Sequence, residues 1–294
     1  MLVPRERARP LDLHGLRVSD YGTIGEAKAS AAMVEIPPGA KGPWVRCSGR
    51  DSSYLVLGGR VEFNVDGVLY RARKGDLLVV PTGVVFRYAN WWGKGARMVV
   101  LHVPACNPEE AEVLPDELRK HDVRLAGERV TLRPMTEKDW EHVLPWNADP
   151  EVLIWSDDTE EPRPTEETKD IYRSVSQFAH VFIIEHEGQP IGECWLQKMN
   201  LPGIIERFPG KDLRRIDITI GRKDLWGKGL GTDAIRTLVR FGFEEEKANG
   251  IFGMVDFKNT RSWRAFEKAG FGEFEKRGQD TGLVVWREQA AQHG

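Results

Sequence analysis

The 294-residue sequence has few cysteines and no long hydrophobic run. Its three cysteines, Cys47, Cys106 and Cys194, are odd in number and far apart, which argues against a disulfide framework or a CxxC metal knuckle. The seven histidines form neither an HxH nor an HExxH pattern. No segment approaches the roughly 20 apolar residues of a membrane span, and the first residues lack the apolar core of a secretory signal. We therefore expect a cytoplasmic protein that does not enter a membrane.

The charge is low and unevenly divided. The net charge is −3, with 17 basic and 14 acidic side chains in residues 1–120, against 25 and 31 in residues 121–294. Neither half shows the clustered basic face of a nucleic-acid-binding protein. The mildly acidic second half would suit a cationic substrate.

The two halves also differ in their secondary-structure pattern. Residues 31–103 contain short β-forming runs separated by turn residues, which predicts an antiparallel sandwich or barrel. Residues 104–122 gain charge and lose periodicity, so they are either a linker or a connecting helix. Beyond them strands and helices interleave, as in an α/β or α+β domain. We predict two domains, an all-β barrel over 1–120 and an α/β domain over 121–294.

Several local signals support the second domain. Thr136 and Asp139 form a capping-box pattern at the start of a helix. Glu187-Gly188 predicts the turn of a hairpin. The stretch "RRIDITIG" reads as a strand, and it leads to a glycine-rich turn and the amphipathic helix "TDAIRTLVRFGF".

Gly227, Gly229 and Gly231 lie at the start of that helix. Backbone N–H groups at a helix start are unpaired and carry the positive end of the helix dipole, so a loop without side chains lets a phosphate approach them. A Walker A loop is excluded because no Gly-Lys-Ser/Thr follows. Asp256 keeps a dinucleotide-binding fold in consideration, but the preceding antiparallel hairpin argues against it.

The succession of a strand, "WGKGLGTDAIRTLV", a strand and "NTRSWRAFEKAGF" resembles the GNAT acetyltransferase family over residues 128–288. The resemblance implies an acetyl-CoA site whose Gln/Arg-x-x-Gly-x-Gly/Ala loop clasps the pyrophosphate, with Gly229 and Gly231 on the two glycines. It implies acetyl-CoA binding by Trp226, Gly227, Lys228, Gly229, Leu230, Gly231, Thr232, Asn259, Ser262 and Phe266.

Two positions depart from the family pattern. Trp226 stands where the loop has Gln or Arg, a loss that backbone binding tolerates. Phe266 stands where the family often has a Tyr that protonates the departing thiolate. Protonation then comes from water or is not needed, which the modest pKa of a thiol permits.

Asp217 is the candidate catalytic base. It lies on the strand before the loop, and alternation places it on the face opposite Ile216 and Ile218. A strand Asp followed by a "GKGLGT" loop resembles the aminoglycoside 6'-N-acetyltransferases, where this Asp is a proposed base. The alternative is a structural salt bridge from Asp217 to Arg214 or Arg215.

The acceptor-binding candidates are Asp157, Asp158, Glu193 and Trp195. The segment "WSDDTEEPRPTEET" is rich in carboxylates and, by resemblance, folds over the acceptor, although acidic loops are commonly only solvated. Glu193 points either to solvent or to the substrate, and Trp195 shares its face.

The first half resembles a cupin without its metal ligands. The cupin motif Gly-x5-Pro-x-Gly is matched by Gly75, Pro81 and Gly83, with Asn90 closing the motif. The family's ligand positions are occupied by Val45, Cys47, Ser52 and Phe86. One thiol and one hydroxyl cannot hold a divalent metal, so we expect none, with Cys47 and His102 as the single conceivable remnant. Trp44, Tyr54 and Phe86 either line a small-molecule pocket or fill the core.

The sequence therefore predicts a degenerate cupin fused to a GNAT N-acetyltransferase that uses acetyl-CoA and transfers acetyl directly to a small-molecule primary amine, with an aminoglycoside as the nearest acceptor by motif. The barrel is expected to support a homodimer. Alternatives are acetylation of a protein N-terminus or of a siderophore precursor, and a sensor that binds CoA without turnover.

Overall fold

The computed structural model describes residues 4–24, 29–105, 111–156, 161–277 and 280–290. The chain forms two units, Met1–Asp116 and Glu117–Gly294. The predicted boundary after residue 120 lies a few residues further along the chain. No helix in the described ranges is long and apolar enough to cross a bilayer.

The first unit consists of two antiparallel sheets. The six-stranded sheet has the order β1-β2-β3-β10-β5-β8 and the five-stranded sheet has the order β11-β4-β9-β6-β7. The strands are β1 (Arg9–Leu13), β2 (Leu16–Ile24), β3 (Ala29–Ile36), β4 (Trp44–Arg46), β5 (Ser52–Gly58), β6 (Arg60–Val65), β7 (Val68–Arg73), β8 (Leu77–Val80), β9 (Val85–Ala89), β10 (Ala96–His102) and β11 (Glu112–Leu114). The predicted all-β cupin architecture is confirmed. The described part of the predicted linker, residues 111–122, contains β11 rather than a connecting helix.

The space between these two sheets is filled with side chains. Alternate residues of β6 point inward, so that Val61, Phe63 and Val65 are buried. Tyr54 packs with its ring centroid 5.4 Å from Phe63 and 5.7 Å from Phe86. Trp44 is 1% exposed. Of the two alternatives for these aromatic residues, the filled core is the one that the structure supports.

Asn90 explains part of the cupin motif in structural terms. It is fully buried, and its side-chain amide donates to the carbonyl oxygens of Ile36 (3.0 Å) and Lys94 (2.8 Å). Its Oδ1 accepts from the Trp92 N–H at 3.1 Å. The residue closes the loop after β9 by satisfying three backbone groups there.

The second unit is built on an eight-stranded sheet of order β12-β13-β14-β15-β16-β17-β19-β18. Its strands are β12 (Leu125–Ala126), β13 (Thr131–Pro134), β14 (Ala179–His186), β15 (Gln189–Lys198), β16 (Leu213–Thr219), β17 (Gly250–Asp256), β18 (Gly272–Arg277) and β19 (Asp280–Trp286). Its helices are α1 (Trp140–Trp146), α2 (Pro150–Ser156), α3 (Thr165–Ser176), α4 (Pro202–Ile205), α5 (Leu230–Glu244), α6 (Thr260–Lys268) and α7 (Arg287–Ala290).

The predicted turns of this unit are present. Glu187 and Gly188 have φ angles of 52° and 73°, and this left-handed pair links β14 to β15. The Asp139 carboxylate accepts from the N–H (2.8 Å) and the hydroxyl (2.9 Å) of Thr136 at the start of the helical segment that becomes α1. Burial opposes ionisation of Asp139, but the hydrogen bonds from the Arg133 guanidinium and from Thr136 together outweigh burial and lower the pKa of the carboxyl.

One parallel strand pair creates an opening in the sheet. β16 pairs with β17 only from Leu213 to Ile216, opposite Gly250 to Gly253, and the ladder ends there. The later residues of both strands line one cleft. Unpaired edges of two diverging strands offer backbone N–H and C=O groups to an extended ligand. The fold thus places a groove directly before the glycine-rich loop.

Candidate functional site

The loop between β16 and α5 adopts a conformation that requires glycine at two positions. Gly227 and Gly229 have φ angles of 75° and 82°, a region that side-chain-bearing residues rarely adopt. Gly231 differs, because a Cβ there would meet only Ile220 Cγ1 at 3.7 Å, an ordinary contact. The fold therefore tolerates a side chain at position 231. A ligand that approaches the backbone there would require glycine.

The first turn of α5 presents free backbone donors to the cleft. Asp233 is the first residue of α5 whose backbone N–H forms a helical hydrogen bond, which it donates to the Gly229 carbonyl at 3.1 Å. The preceding N–H groups of Leu230, Gly231 and Thr232 are the orphan donors of a helix start, and no side chain caps them. Together with the helix dipole they form a site suited to a phosphate.

Asp233 fixes the position of this turn. It is 8% exposed, and its carboxylate accepts from the N–H groups of Glu128 (3.1 Å), Arg129 (2.7 Å) and Val130 (3.0 Å). Arg129 in turn donates to the Lys228 carbonyl at 2.6 Å. Sequence reasoning missed Asp233, although an acid in a first helical turn is a recognisable signal.

The cleft has a volume of about 1010 Å³ and joins the loop to β16, β17 and α6. Nine of the ten predicted acetyl-CoA residues line it: Trp226, Gly227, Gly229, Leu230, Gly231, Thr232, Asn259, Ser262 and Phe266. Lys228 is not among the lining residues, and its carbonyl is occupied by Arg129.

Asn259 and Phe266 have structural roles in α6. The Asn259 side chain caps the helix by accepting from the Ser262 N–H at 3.1 Å, and it donates to the Trp155 carbonyl at 3.3 Å. Phe266 is 2% exposed and fills the space left by Gly253, where a Cβ would lie 2.5 Å from its ring. Phenylalanine has no hydroxyl, so the side chain at this position cannot act as an acid.

Asp217 lies in the same cleft, at the centre of a hydrogen-bond network. Its Oδ2 accepts from Trp195 Nε1 (2.9 Å), Gln197 Nε2 (2.8 Å) and Arg215 Nε (2.9 Å). None of these donors reaches Oδ1, and the side chain is 32% exposed. Of the two predicted salt bridges, that to Arg215 forms, whereas Arg214 pairs with Asp212 and Glu246. Asp217 is therefore both an anchored ion-pair partner and a carboxylate with one oxygen left for the cleft.

Glu193 faces the same cleft but is not solvated. It is 2% exposed, and its Oε1 accepts from the Tyr172 hydroxyl at 3.2 Å. Tyr172 itself accepts from Asn147 Nδ2 at 3.0 Å, and its ring packs edge-on against Trp195 at 5.4 Å. The alternative that Glu193 points to solvent is wrong, because Tyr172 from α3 covers this face of β15. Tyr172 and Asn147 were missed, since they come from α3 and the end of α1.

The predicted acceptor residues Asp157 and Asp158 lie outside the described residues, and their role stays a prediction. The flanking helices α2 and α3 do contribute to the cleft, through Trp155 and Thr168 among others, and Arg163, just before α3, also lines it.

A covalent acetyl-cysteine route has no suitable nucleophile among the described residues of this cleft. Cys194 is fully buried, and burial together with the neighbouring Glu193 carboxylate raises the pKa of its thiol well above the usual value. A protonated, inaccessible thiol is a poor nucleophile.

The ligand positions expected of a metal-binding cupin do not fit a metal here. Phe86 is in the core, and Val45 and Cys47 pack against the same core. Burial raises the pKa of Cys47 and lowers that of His102, which keeps both groups neutral. In the ranges that the structure describes, no group of three or more His, Cys, Asp and Glu side chains could hold a metal ion.

A glycine loop at a helix start beside two diverging parallel strands is the arrangement expected of an acyl-CoA site, and comparison with known proteins agrees. Residues 129–272 match the acetyltransferase (GNAT) domain and residues 32–103 the cupin domain. An aminoglycoside N(6')-acetyltransferase type 1 from Klebsiella pneumoniae is 30% identical over 176 residues, 57% of this chain and 86% of the relative. A kanamycin resistance protein from Rhizobium radiobacter is 36% identical over 90 residues, 30% of this chain and 79% of the relative.

A solved structure agrees with these matches. AAC(6')-Ib in complex with paromomycin and acetyl-CoA aligns with a TM-score of 0.50 and 26% identity, over 56% of this chain and 97% of its own. The chain belongs to the GNAT acetyltransferase family, and its second unit is an acetyl-CoA-dependent N-acetyltransferase.

Proposed function

We propose that the protein transfers the acetyl group of acetyl-CoA directly to a primary amine of an aminoglycoside-type aminosugar. The observation that carries the proposal is the pair of carboxylates, Glu193 and Asp217, in the cleft that also contains the phosphate-binding turn of α5. Two anions beside an aromatic wall of Tyr172 and Trp195 favour a polycationic, ring-shaped acceptor.

Asp217 serves as the proton acceptor in this scheme. The amine must lose a proton to attack the thioester carbonyl, and Oδ1 is the oxygen that none of the three donors on Oδ2 engages. The amine nitrogen forms a bond to the carbonyl carbon, the C–S bond breaks, and the sulfur leaves as a thiolate. The thiolate leaves unprotonated, because the pKa of its conjugate thiol is modest, and it takes its proton from water, because Phe266 has no hydroxyl.

The test is thiol release from acetyl-CoA by the full chain with a panel of acceptors. Kanamycin should be acetylated, whereas an aminoglycoside with a hydroxyl in place of its 6'-amine should not be. A tripeptide amine and a hydroxylamine-type acceptor test the protein N-terminus and siderophore alternatives. Turnover with none of these, in protein that binds CoA, would support the sensor alternative and contradict the proposal.

We further propose that the barrel supports a homodimer. The outer face of its six-stranded sheet carries an apolar strip, defined here as Leu55, Leu77, Val79, Leu101 and Val103, which are 36% to 69% exposed. The strand registers place Leu55 opposite Leu77, and Ser53 opposite both Val79 and Leu101, so the strip is continuous across β10, β5 and β8. In a two-fold symmetric dimer the apolar strips of the two copies would pack against each other. The strip extends to β8, which is the edge strand of its sheet.

Light scattering after size exclusion tests the dimer. Leu77→Lys combined with Leu101→Lys should yield a monomer, while Leu69→Lys on the other sheet, at a site 52% exposed, should leave the dimer intact. A monomeric wild-type chain would contradict this proposal alone. We also place the protein in the cytoplasm, since Cys47 and Cys194 are free thiols and acetyl-CoA is an intracellular substrate.

A further inference from the structure

Arg261, in the first turn of α6, lies between two tryptophans at the edge of the cleft. Its guanidinium carbon is 3.8 Å from the ring centroid of Trp226 and 5.6 Å from that of Trp155. Trp226 is the residue just before Gly227, so this stacking holds a cation beside the phosphate-binding loop. The Trp226 ring is fixed in turn, because its Nε1 donates to the Ile220 carbonyl at 2.6 Å.

The stacked arrangement leaves the hydrogen-bonding edge of the guanidinium for a ligand. A cation–π contact uses the face of the planar group, whereas its five N–H donors point outward in the plane. The described residues provide no carboxylate within salt-bridge distance of Arg261. The nearby acids have other partners, since Asp224 pairs with Arg222 and Asp256 accepts from the Lys258 N–H.

We propose that Arg261, positioned by Trp226, binds a phosphate group of acetyl-CoA through its in-plane N–H donors. A guanidinium edge matches two phosphate oxygens in a bidentate pair, and Arg261 lines the cleft that contains Gly229 and Gly231. Trp226 of the loop carries no charge, so the positive charge beside it comes from Arg261 of α6. The inference rests on the cleft being the acetyl-CoA site.

The experiment is calorimetric binding of CoA and of dephospho-CoA to the full chain. Arg261→Ala should raise the Kd for CoA about 10- to 100-fold, the range for a lost hydrogen bond to a charged group. Lys258→Ala removes the same charge three residues away, outside the cleft lining, and should change the Kd less than about twofold. If Arg261→Ala destabilises the fold, Arg261→Gln keeps the aliphatic part and a polar end, removes the charge, and should give the same loss.

Dephospho-CoA distinguishes the two sources of phosphate. If the loss seen with Arg261→Ala disappears with dephospho-CoA, Arg261 binds the 3'-phosphate; if it persists, Arg261 binds the diphosphate. Either result supports the proposal. An Arg261→Ala protein that binds both ligands as wild type does, or that changes only the KM of the amine, would overturn it. If the wild-type protein did not bind CoA, the assignment of the cleft as the acetyl-CoA site would itself be wrong.

The positioning role of Trp226 has its own measurement. Trp226→Phe keeps an aromatic face and should retain near wild-type affinity, whereas Trp226→Ala should lose part of it. In the Arg261→Ala background, Trp226→Ala should cause little further loss, because its effect passes through the guanidinium. Additive losses in the double variant would show that Trp226 acts independently of Arg261.

Discussion

The substitution Gly231→Ala should affect protein stability and CoA binding in opposite directions. Gly231 is in the first turn of α5, where alanine forms helix better than glycine, and the added Cβ would contact only Ile220 at 3.7 Å. We expect a gain of about 0.4–1 kcal/mol in the free energy of unfolding. For a domain of this size, that corresponds to a rise in Tm of about 1–4 °C.

The same methyl group should weaken CoA binding. A phosphate oxygen approaches a backbone N–H to about 2.9 Å, whereas a methyl carbon needs about 3.5 Å or more from its neighbours. The ligand must therefore withdraw from the turn and lose at least one hydrogen bond to a charged group, each contributing about 1.5–3 kcal/mol. We expect the Kd for CoA to rise about 10- to 100-fold.

Calorimetry and thermal unfolding on the same protein samples measure both effects. Gly272→Ala in β18 is the matched control, because a Cβ at Gly272 meets nothing within 4 Å and the residue is outside the cleft lining. It should leave the Kd unchanged. A Gly231→Ala protein that is more stable yet binds CoA as tightly as wild type would refute the reasoning that the amides of α5 hold the diphosphate.

Three further predictions concern other parts of the chain. Asp217→Asn should lower kcat about 10²- to 10⁴-fold in the thiol-release assay and leave the Kd for CoA unchanged, while full activity would remove Asp217 from the mechanism. Because the folded-state pKa of Asp139 is lowered by Arg133, the stability it contributes is complete above the unfolded pKa of about 4 and is lost as pH falls through the folded value. Asp139→Asn should therefore flatten the fall in Tm below about pH 4 relative to wild type, and an unchanged slope would contradict this. Elemental analysis of purified full-length protein should find no stoichiometric metal, since the barrel lacks a ligand set; bound metal at one per chain would overturn that argument.

The donor side of the cleft was predictable because backbone geometry sets its sequence pattern. Gly227 and Gly229 are required by their positive φ angles, and the adjacent helix is readable from its apolar period. Asp217 of β16 lines the cleft together with its strand neighbours Ile216 and Ile218. These features depend on residues close together in the chain, where local rules apply.

Most contacts on the proposed acceptor side could not be predicted, because they join residues that are far apart in the chain. Tyr172 reaches Glu193 from α3, and Asn147 reaches Tyr172 from the end of α1, across separations that no local period encodes. The burial of Glu193 could not be read from β15, because alternation gives the face of a strand and not what covers that face. Contacts of this kind follow from packing of the helices on the sheet.

This division has a functional consequence. A donor site made of main-chain N–H groups and strand edges tolerates changed side chains, which is why Trp226 and Phe266 can replace the expected residues without removing the groove. The proposed acceptor side is made of the side chains of Glu193, Tyr172 and Asp217, so we expect substitutions there to alter which amine fits without altering CoA affinity. Tyr172→Phe, which removes only the hydroxyl that donates to Glu193, should therefore change the acceptor KM while the Kd for CoA stays constant. A parallel loss of CoA affinity in that variant would mean that the two sides are not independent, because the hydroxyl would then be supporting the whole groove.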